Sequence, residues 1–239
     1  MALTIEEVIK KEKALSGFIP FVEIAIALEQ LSFNHQIAFF CSCGERILPT
    51  YMLLDGDDRW GDISILRSVL DELWQIAGGM LLSEDEIEAL NHRVYEVFIE
   101  DEEEGESDHC IRGSLYDYWG EIVPQYMSLV LNYIGSHQVE VYCSIFTKIV
   151  YIVYEYYDMY LPDIDPEWEF KRYAEQASIV MNTILLQTEL SKELADLQFL
   201  KNTPELSREI LSTFRANACP NGVGILGSLD EIRATLDWG

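Results

Sequence analysis

Along almost the whole chain, apolar residues recur every three or four positions. That spacing lines one face of an α-helix and restricts the fold to packed helices. Pro20 opens a helix whose Phe21, Ile24, Ala25, Leu28 and Leu31 share a face. After a turn around Ser32–Asn34, the stripe Ile37, Phe40, Cys41, Gly44, Ile47 and Leu48 predicts a helix to about residue 54, kinked or divided at Pro49. Leu66, Val69, Leu70, Leu73 and Ile76 form the next set, between Gly61–Asp62 and the stop signal Gly78–Gly79. Ser83 followed by Glu86 is a capping-box pattern, with Ile87, Leu90, Val94 and Val97 facing inward.

The second half continues the pattern. Tyr116–Tyr133 and Val139–Tyr160 read as two long helices separated near Gly135–His137. Asp165–Pro166 predicts a helix start, with Phe170, Ala174, Ala177, Met181, Ile184 and Thr188 inward, and Thr203–Pro204 repeats that signal for a last helix carrying Leu206, Ile210 and Phe214. The expectation is an all-α protein: a single multi-helical bundle with long antiparallel helices and an acidic connecting loop. An amphipathic N-terminal extension spans 1–19, the helical domain 20–227 and a C-terminal tail 228–239.

Charge narrows the choice of partner. With 42 Asp+Glu against 16 Lys+Arg, the formal charge is -26, so direct nucleic-acid binding, which depends on neutralising phosphates, is not expected. The run Glu100, Asp101, Glu102, Glu103, Glu104, Glu106 and Asp108 is too repulsive to bury and reads as the connecting loop, a steering element for a cationic protein. No long apolar span or cleavable leader pattern is visible, because Glu6, Glu7, Lys10, Lys11, Glu12 and Lys13 interrupt the start; a cytoplasmic protein without membrane contact is expected. Five cysteines without the dense spacing of a disulfide scaffold read as free thiols.

Motifs of known chemistry are missing from the sequence. Cys41 and Cys43, two apart on a helix, point in different directions and do not form a zinc pair. His35, His92, His109 and His137 are scattered, and no serine elbow, metalloprotease motif or paired-carboxylate geometry is present. The segment 222–227, Gly-Val-Gly-Ile-Leu-Gly, follows a helix rather than a strand and has no P-loop lysine, so it reads as a tight turn or a close backbone contact. The sequence therefore assigns no catalytic residue, cofactor or metal.

A family resemblance rests on Phe39-Phe40-Cys41-Ser42-Cys43-Gly44-Glu45-Arg46-Ile47-Leu48-Pro49-Thr50-Tyr51, followed by Trp60-Gly61-Asp62 and Ile65-Leu66-Arg67-Ser68-Val69-Leu70-Asp71-Glu72-Leu73-Trp74. These segments resemble the bacterial family catalogued as domain of unknown function 416, and Asn221-Gly222-Val223-Gly224-Ile225 is similar to its closing turn. The resemblance spans roughly residues 20–227. It implies a single all-α bacterial domain with no established reaction, in which Glu45, Arg46 and Asp62 occupy the family's polar positions. The residues themselves also permit a bracing role, with Glu45 or Arg46 bridging to another helix and Asp62 capping the helix that follows it.

Three functional expectations follow from composition. The first is an antitoxin-like immunity protein that masks a basic toxin domain, such as a nuclease, through the acidic run with Tyr154 and Tyr157 as anchors. The second is a small-molecule or metal-dependent enzyme with a site assembled from Glu45, Asp62 and histidines. The third is a structural homodimer, weakly associated through apolar faces of the long helices.

Overall fold

The described residues form nine α-helices, and one of them is enclosed by the others. The structure is a computed structural model that describes residues 19–52, 61–97, 115–138, 140–164, 167, 171 and 173–228. The acidic run Glu100–Asp108, the start signal at Asp165–Pro166 and nearly all of the expected N-terminal extension and C-terminal tail lie outside those residues. In chain order the helices are α1 (Ile19–Glu29), α2 (Phe33–Tyr51), α3 (Ile63–Ala77), α4 (Glu84–Tyr95), α5 (Leu115–Ser136), α6 (Glu140–Ile164), α7 (Tyr173–Met181), α8 (Ile184–Lys201) and α9 (Arg208–Ala218).

Local chemistry sets several of their ends. The Asp62 carboxylate accepts from the Ser64 amide at 2.7 Å and starts α3. Ser83 and Glu86 make the reciprocal capping box at the start of α4, satisfying two amides that a helix start leaves without partners. Thr183 and Ser207 cap α8 and α9 with their hydroxyl oxygens.

Three expected boundaries shift. First, α2 runs unbroken through Pro49 and ends two residues later at Tyr51; at that position the missing amide interrupts only the last turn. Second, the single helix expected after residue 166 is two helices in the described region, because Thr183 caps a new one in the middle of an apolar stretch. Ile184, expected inside, is 76% exposed as a result. Third, the last helix begins at Arg208 rather than after Pro204, since Ser207 supplies the cap that Thr203 was expected to provide.

The core is built around α2, whose residues His35–Tyr51 are all buried. It packs against α3, α5, α8 and α9, while α5 and α6 lie along each other and α1 closes the side between α6 and α8. Aromatic edges lock the α2–α5–α6 junction: Phe40 meets Tyr133 and Tyr142 at ring separations of 5.7 and 5.4 Å. The apolar residues of α6, including Tyr142, Ile145, Phe146, Ile149 and Val153, are buried in this same core. None of the helices in the described region is long and apolar enough to cross a membrane.

The glycine-rich segment after α9 is a docked turn. Asn221 (φ 58°) and Gly222 (φ 72°) reverse the chain, and the Ile225 amide donates to the Arg46 carbonyl of α2 at 2.9 Å. Gly224 lies so close to α2 that a Cβ there would sit 2.6 Å from the Arg46 carbonyl oxygen and 3.2 Å from the Pro49 ring. Gly224→Ala is therefore expected to push the turn off α2 and destabilise the protein by about 1–3 kcal/mol in urea unfolding. Unchanged stability would show that the turn contributes nothing to the fold.

Candidate functional site

A helix buried along its whole length has to satisfy its polar side chains from neighbouring elements, because an unpaired buried polar group costs several times what its hydrogen bond returns. Each polar side chain of α2 that bonds to another element marks such a meeting point. The His35 ring bridges the Ser32 hydroxyl (2.5 Å) and the Thr203 carbonyl (2.6 Å). Gln36 donates to the Leu28 and Leu31 carbonyls and accepts from the Tyr133 hydroxyl. Beyond these, Ser42, Cys43, Glu45 and Arg46 build two charged networks on different sides of the helix.

The first network joins α2 to α8. Arg46 is 1% exposed, and its Nε donates to Glu189 Oε1 at 2.7 Å while Nη1 donates to Asp196 Oδ2 at 2.7 Å and to Ser42 Oγ at 2.8 Å. Nη2 lies 3.4 Å from Cys43 Sγ. Burial works against the guanidinium charge, but Glu189, Cys43 and Asp196 outweigh it and hold Arg46 firmly protonated. Glu193, one turn after Glu189 on the same face of α8, is fully buried. Desolvation first, and then the like charge of Glu189, push its carboxyl well above the usual range against the pull of Arg46. Burial also raises the thiol of Cys43.

The second network joins α2 to α3 and α9. Glu45 Oε1 accepts from Trp74 Nε1 (3.0 Å) and Arg215 Nε (2.9 Å), and Oε2 accepts from Arg67 Nη1 (2.6 Å). Arg215 also pairs with Asp71 and lies over the Trp74 ring, 5.9 Å from its centroid. This network reaches solvent. Glu45 and Arg67 line a cleft of about 380 Å³ together with Pro49, Met52, Cys219, Asn221, Gly222 and Ser228. Cys219 is half-buried there, and burial raises its thiol as well.

The residues singled out in the sequence separate in space. Glu45 and Arg46 are the hubs of the two networks, whereas Asp62 is an exposed helix cap. No described histidine joins either network: His35 is a tether between loops, His92 pairs with Glu96 on the surface, and the ring of His137 packs on Phe33. Tyr154 and Tyr157 are half-buried against the core, and the Tyr154 hydroxyl donates to Gln176 at 2.8 Å. Glu100, Asp101, Glu102, Glu103, Glu104, Glu106 and Asp108, with His109 and Cys110, lie outside the described residues.

Sequence reasoning missed Arg67, Arg215, Glu189, Glu193 and Asp196. Two of them had a signal: Glu189 and Glu193 interrupt the apolar stripe Leu186, Leu190, Leu197 and Leu200 on the buried face of α8. Carboxylates placed in such a stripe need an interior partner.

No family model matches this sequence, and no curated protein matches it. Among solved structures, the chain is similar to the crystal structure of a DUF416 family protein from Shewanella baltica OS155, with a TM-score of 0.67 and 19% identity over 85% of this chain and 97% of that one. The chain has the fold of that DUF416 protein. The likeness at this identity is one of architecture, and it agrees with the resemblance read from residues 39–51 and 60–74.

The energetic weight of the first network can be measured. Removing one partner of a buried ion pair leaves the others desolvated and uncompensated, typically at a cost of about 3–5 kcal/mol. Arg46→Ala is expected to lose that amount in chemical denaturation. Arg93→Ala, at a partly exposed pair with Glu72 on α3 and α4, should lose less than about 1 kcal/mol. Equal losses would remove Arg46 from its position as the central tie.

Proposed function

We propose that this protein binds a small organic anion in the cleft beside Glu45, with Arg67 as the anchoring residue. The observation that carries the reading is the state of Arg67. Its side chain is 39% exposed, and among the described residues it donates only through Nη1, to Glu45, so Nε and Nη2 remain for a ligand in a cleft that Arg67 itself lines. A planar guanidinium with free donors suits a carboxylate or phosphate group.

The surroundings support the same ligand class. Glu45 holds Arg67 at its position, and Glu45 is itself held by Trp74 and Arg215, so the anchor is organised before a ligand arrives. Pro49, Met52 and Cys219 supply apolar wall for the rest of the molecule, and the volume lies within the range of small-ligand sites. Glu45 acts here as a positioning residue. Its two oxygens take three donors, which suits holding an anchor better than moving protons.

The toxin-masking reading keeps its warrant in the net charge of -26, and ionic strength separates the two readings. An acidic protein repels a small anion at long range and attracts a basic protein, so added salt speeds capture of the first and slows capture of the second.

A thermal-shift screen of the full chain against small carboxylates and phosphates tests the proposal. At least one compound is expected to raise the midpoint, and Arg67→Ala should weaken that compound by tenfold or more in calorimetry, equivalent to about 1.4 kcal/mol, with the fold unchanged. The proposal fails if nothing in the panel binds, or if binding survives Arg67→Ala. Salt-sensitive binding of basic proteins alone would return the argument to the masking role.

A further inference from the structure

Among the described residues, the interior between α2 and α8 carries more negative charge than Arg46, its one cation, can balance. Arg46 faces Glu189, Glu193 and Asp196, and these groups are also the charged neighbours that act on the Cys43 thiol. If all three carboxylates are ionised, the set has a net charge of two negatives. Arg46 spends its short contacts on Glu189 Oε1, Asp196 Oδ2 and Ser42, leaving Glu189 Oε2 and both oxygens of Glu193 fully buried without a hydrogen-bond partner among the described residues. An unpaired buried oxygen is costly, and here there are three, on two carboxylates one helical turn apart.

The two carboxylates that carry the orphan oxygens meet a soft donor. One ligand atom each from Cys43, Glu189 and Glu193 lie within 4.8 Å of one another, and all three residues are buried. We propose that Cys43, Glu189 and Glu193 bind one divalent transition-metal ion of the zinc class, which ties α2 to α8 inside the bundle. The ion displaces the Cys43 thiol proton to solvent, which brings the set to three negatives, and its two positive charges offset most of that while giving the unpartnered oxygens a common partner. The sulfur selects the metal: a thiol-containing set with few oxygens suits zinc-like ions, whereas magnesium and calcium take six or more oxygen ligands.

The surroundings also suit an ion. Arg46 donates to Glu189 through Nε and contacts Cys43 through Nη2, so two of the three ligands are oriented by the same guanidinium. Glu189 and Glu193 are four residues apart on one helix, where side chains lie one above the other. Because the ligands are 0–1% exposed, a bound ion is closed off from substrates, and with a bidentate carboxylate completing four-coordination its role is structural. The anion cleft lies on the other network, around Glu45 and Arg67, so neither proposal depends on the other.

The competing explanation is a neutral Glu193 that keeps its proton. One substitution separates the two: Glu193→Gln imitates a protonated carboxyl in shape and charge but removes an anionic metal ligand. The full chain is stripped with a chelator and titrated with Co²⁺ and Zn²⁺, with affinity read by competition against a chromophoric chelator so that weak surface binding does not register. The expected result is one equivalent of metal, a thiolate-to-cobalt charge-transfer absorption in the near ultraviolet, and a higher unfolding midpoint with metal than without. Cys43→Ala should abolish the absorption, and Glu193→Gln should weaken the metal by tenfold or more while the stripped protein stays folded. Arg93→Ala, at the partly exposed pair with Glu72, should leave the metal stoichiometry, affinity and absorption unchanged.

Three results would overturn the proposal: no stoichiometric metal in the wild-type chain, cobalt binding without the charge-transfer band, or metal affinity unaffected by Glu193→Gln. If Cys43→Ala fails to fold, the Glu193→Gln comparison and the wild-type spectrum still decide the question.

Discussion

A guanidinium that is 1% exposed dictates how the rest of this bundle is assembled. Arg46 sits midway along a helix with no solvent-facing side, so its charge cannot be left to water. Charges buried in this way are tolerated only when carboxylates meet them with good geometry. Glu189 and Asp196 provide that geometry, and both belong to α8. The α2–α8 contact is therefore specified by charge as well as by shape, since sliding α8 by one turn would put Lys192 or Leu200 in the place of Asp196.

Glu45 imposes the complementary condition on the other side of α2. A carboxylate there requires donors, and they arrive from α3 as Arg67 and Trp74 and from α9 as Arg215. Adjacent residues of opposite charge thus recruit opposite partners, basic side chains to one side and acidic ones to the other. The carbonyl of Arg46 then accepts the Ile225 amide, which brings the chain after α9 back onto the same turn of α2. Three segments distant in sequence are registered on two successive residues.

This organisation explains what the sequence revealed and what it concealed. Helices were legible wherever an apolar stripe ran between strong end signals, as with Asp62 to Gly78 and the Ser83–Glu86 box. The reading failed at Thr183, where apolar residues continue on both sides of the cap and the period conceals a break. It failed again at Pro204, because a proline in the connection resembles a helix start until Ser207 is considered. The hubs Glu45 and Arg46 stood out as adjacent charges within an apolar segment. Their partners did not, because Glu189 lies 143 residues and Arg215 lies 170 residues along the chain from the groups they meet, and local spacing carries no information across such a distance.

The two networks also bear on the acidity of the chain. Arg46, Arg67, Arg93 and Arg215 are engaged with carboxylates that tie one helix to another, and each presents the planar, multiply donating head that such ties require. With these cations engaged in joining helices, and only 16 Lys+Arg in the chain, 42 acidic residues leave a large negative surplus. Self-repulsion of that surplus opposes compaction most strongly at low salt. The buried Arg46 pairs are screened far less and hold under the same conditions. Cohesion therefore comes from an apolar interior fastened by a few arginines, while the negative field outside governs which ligands and partners can approach.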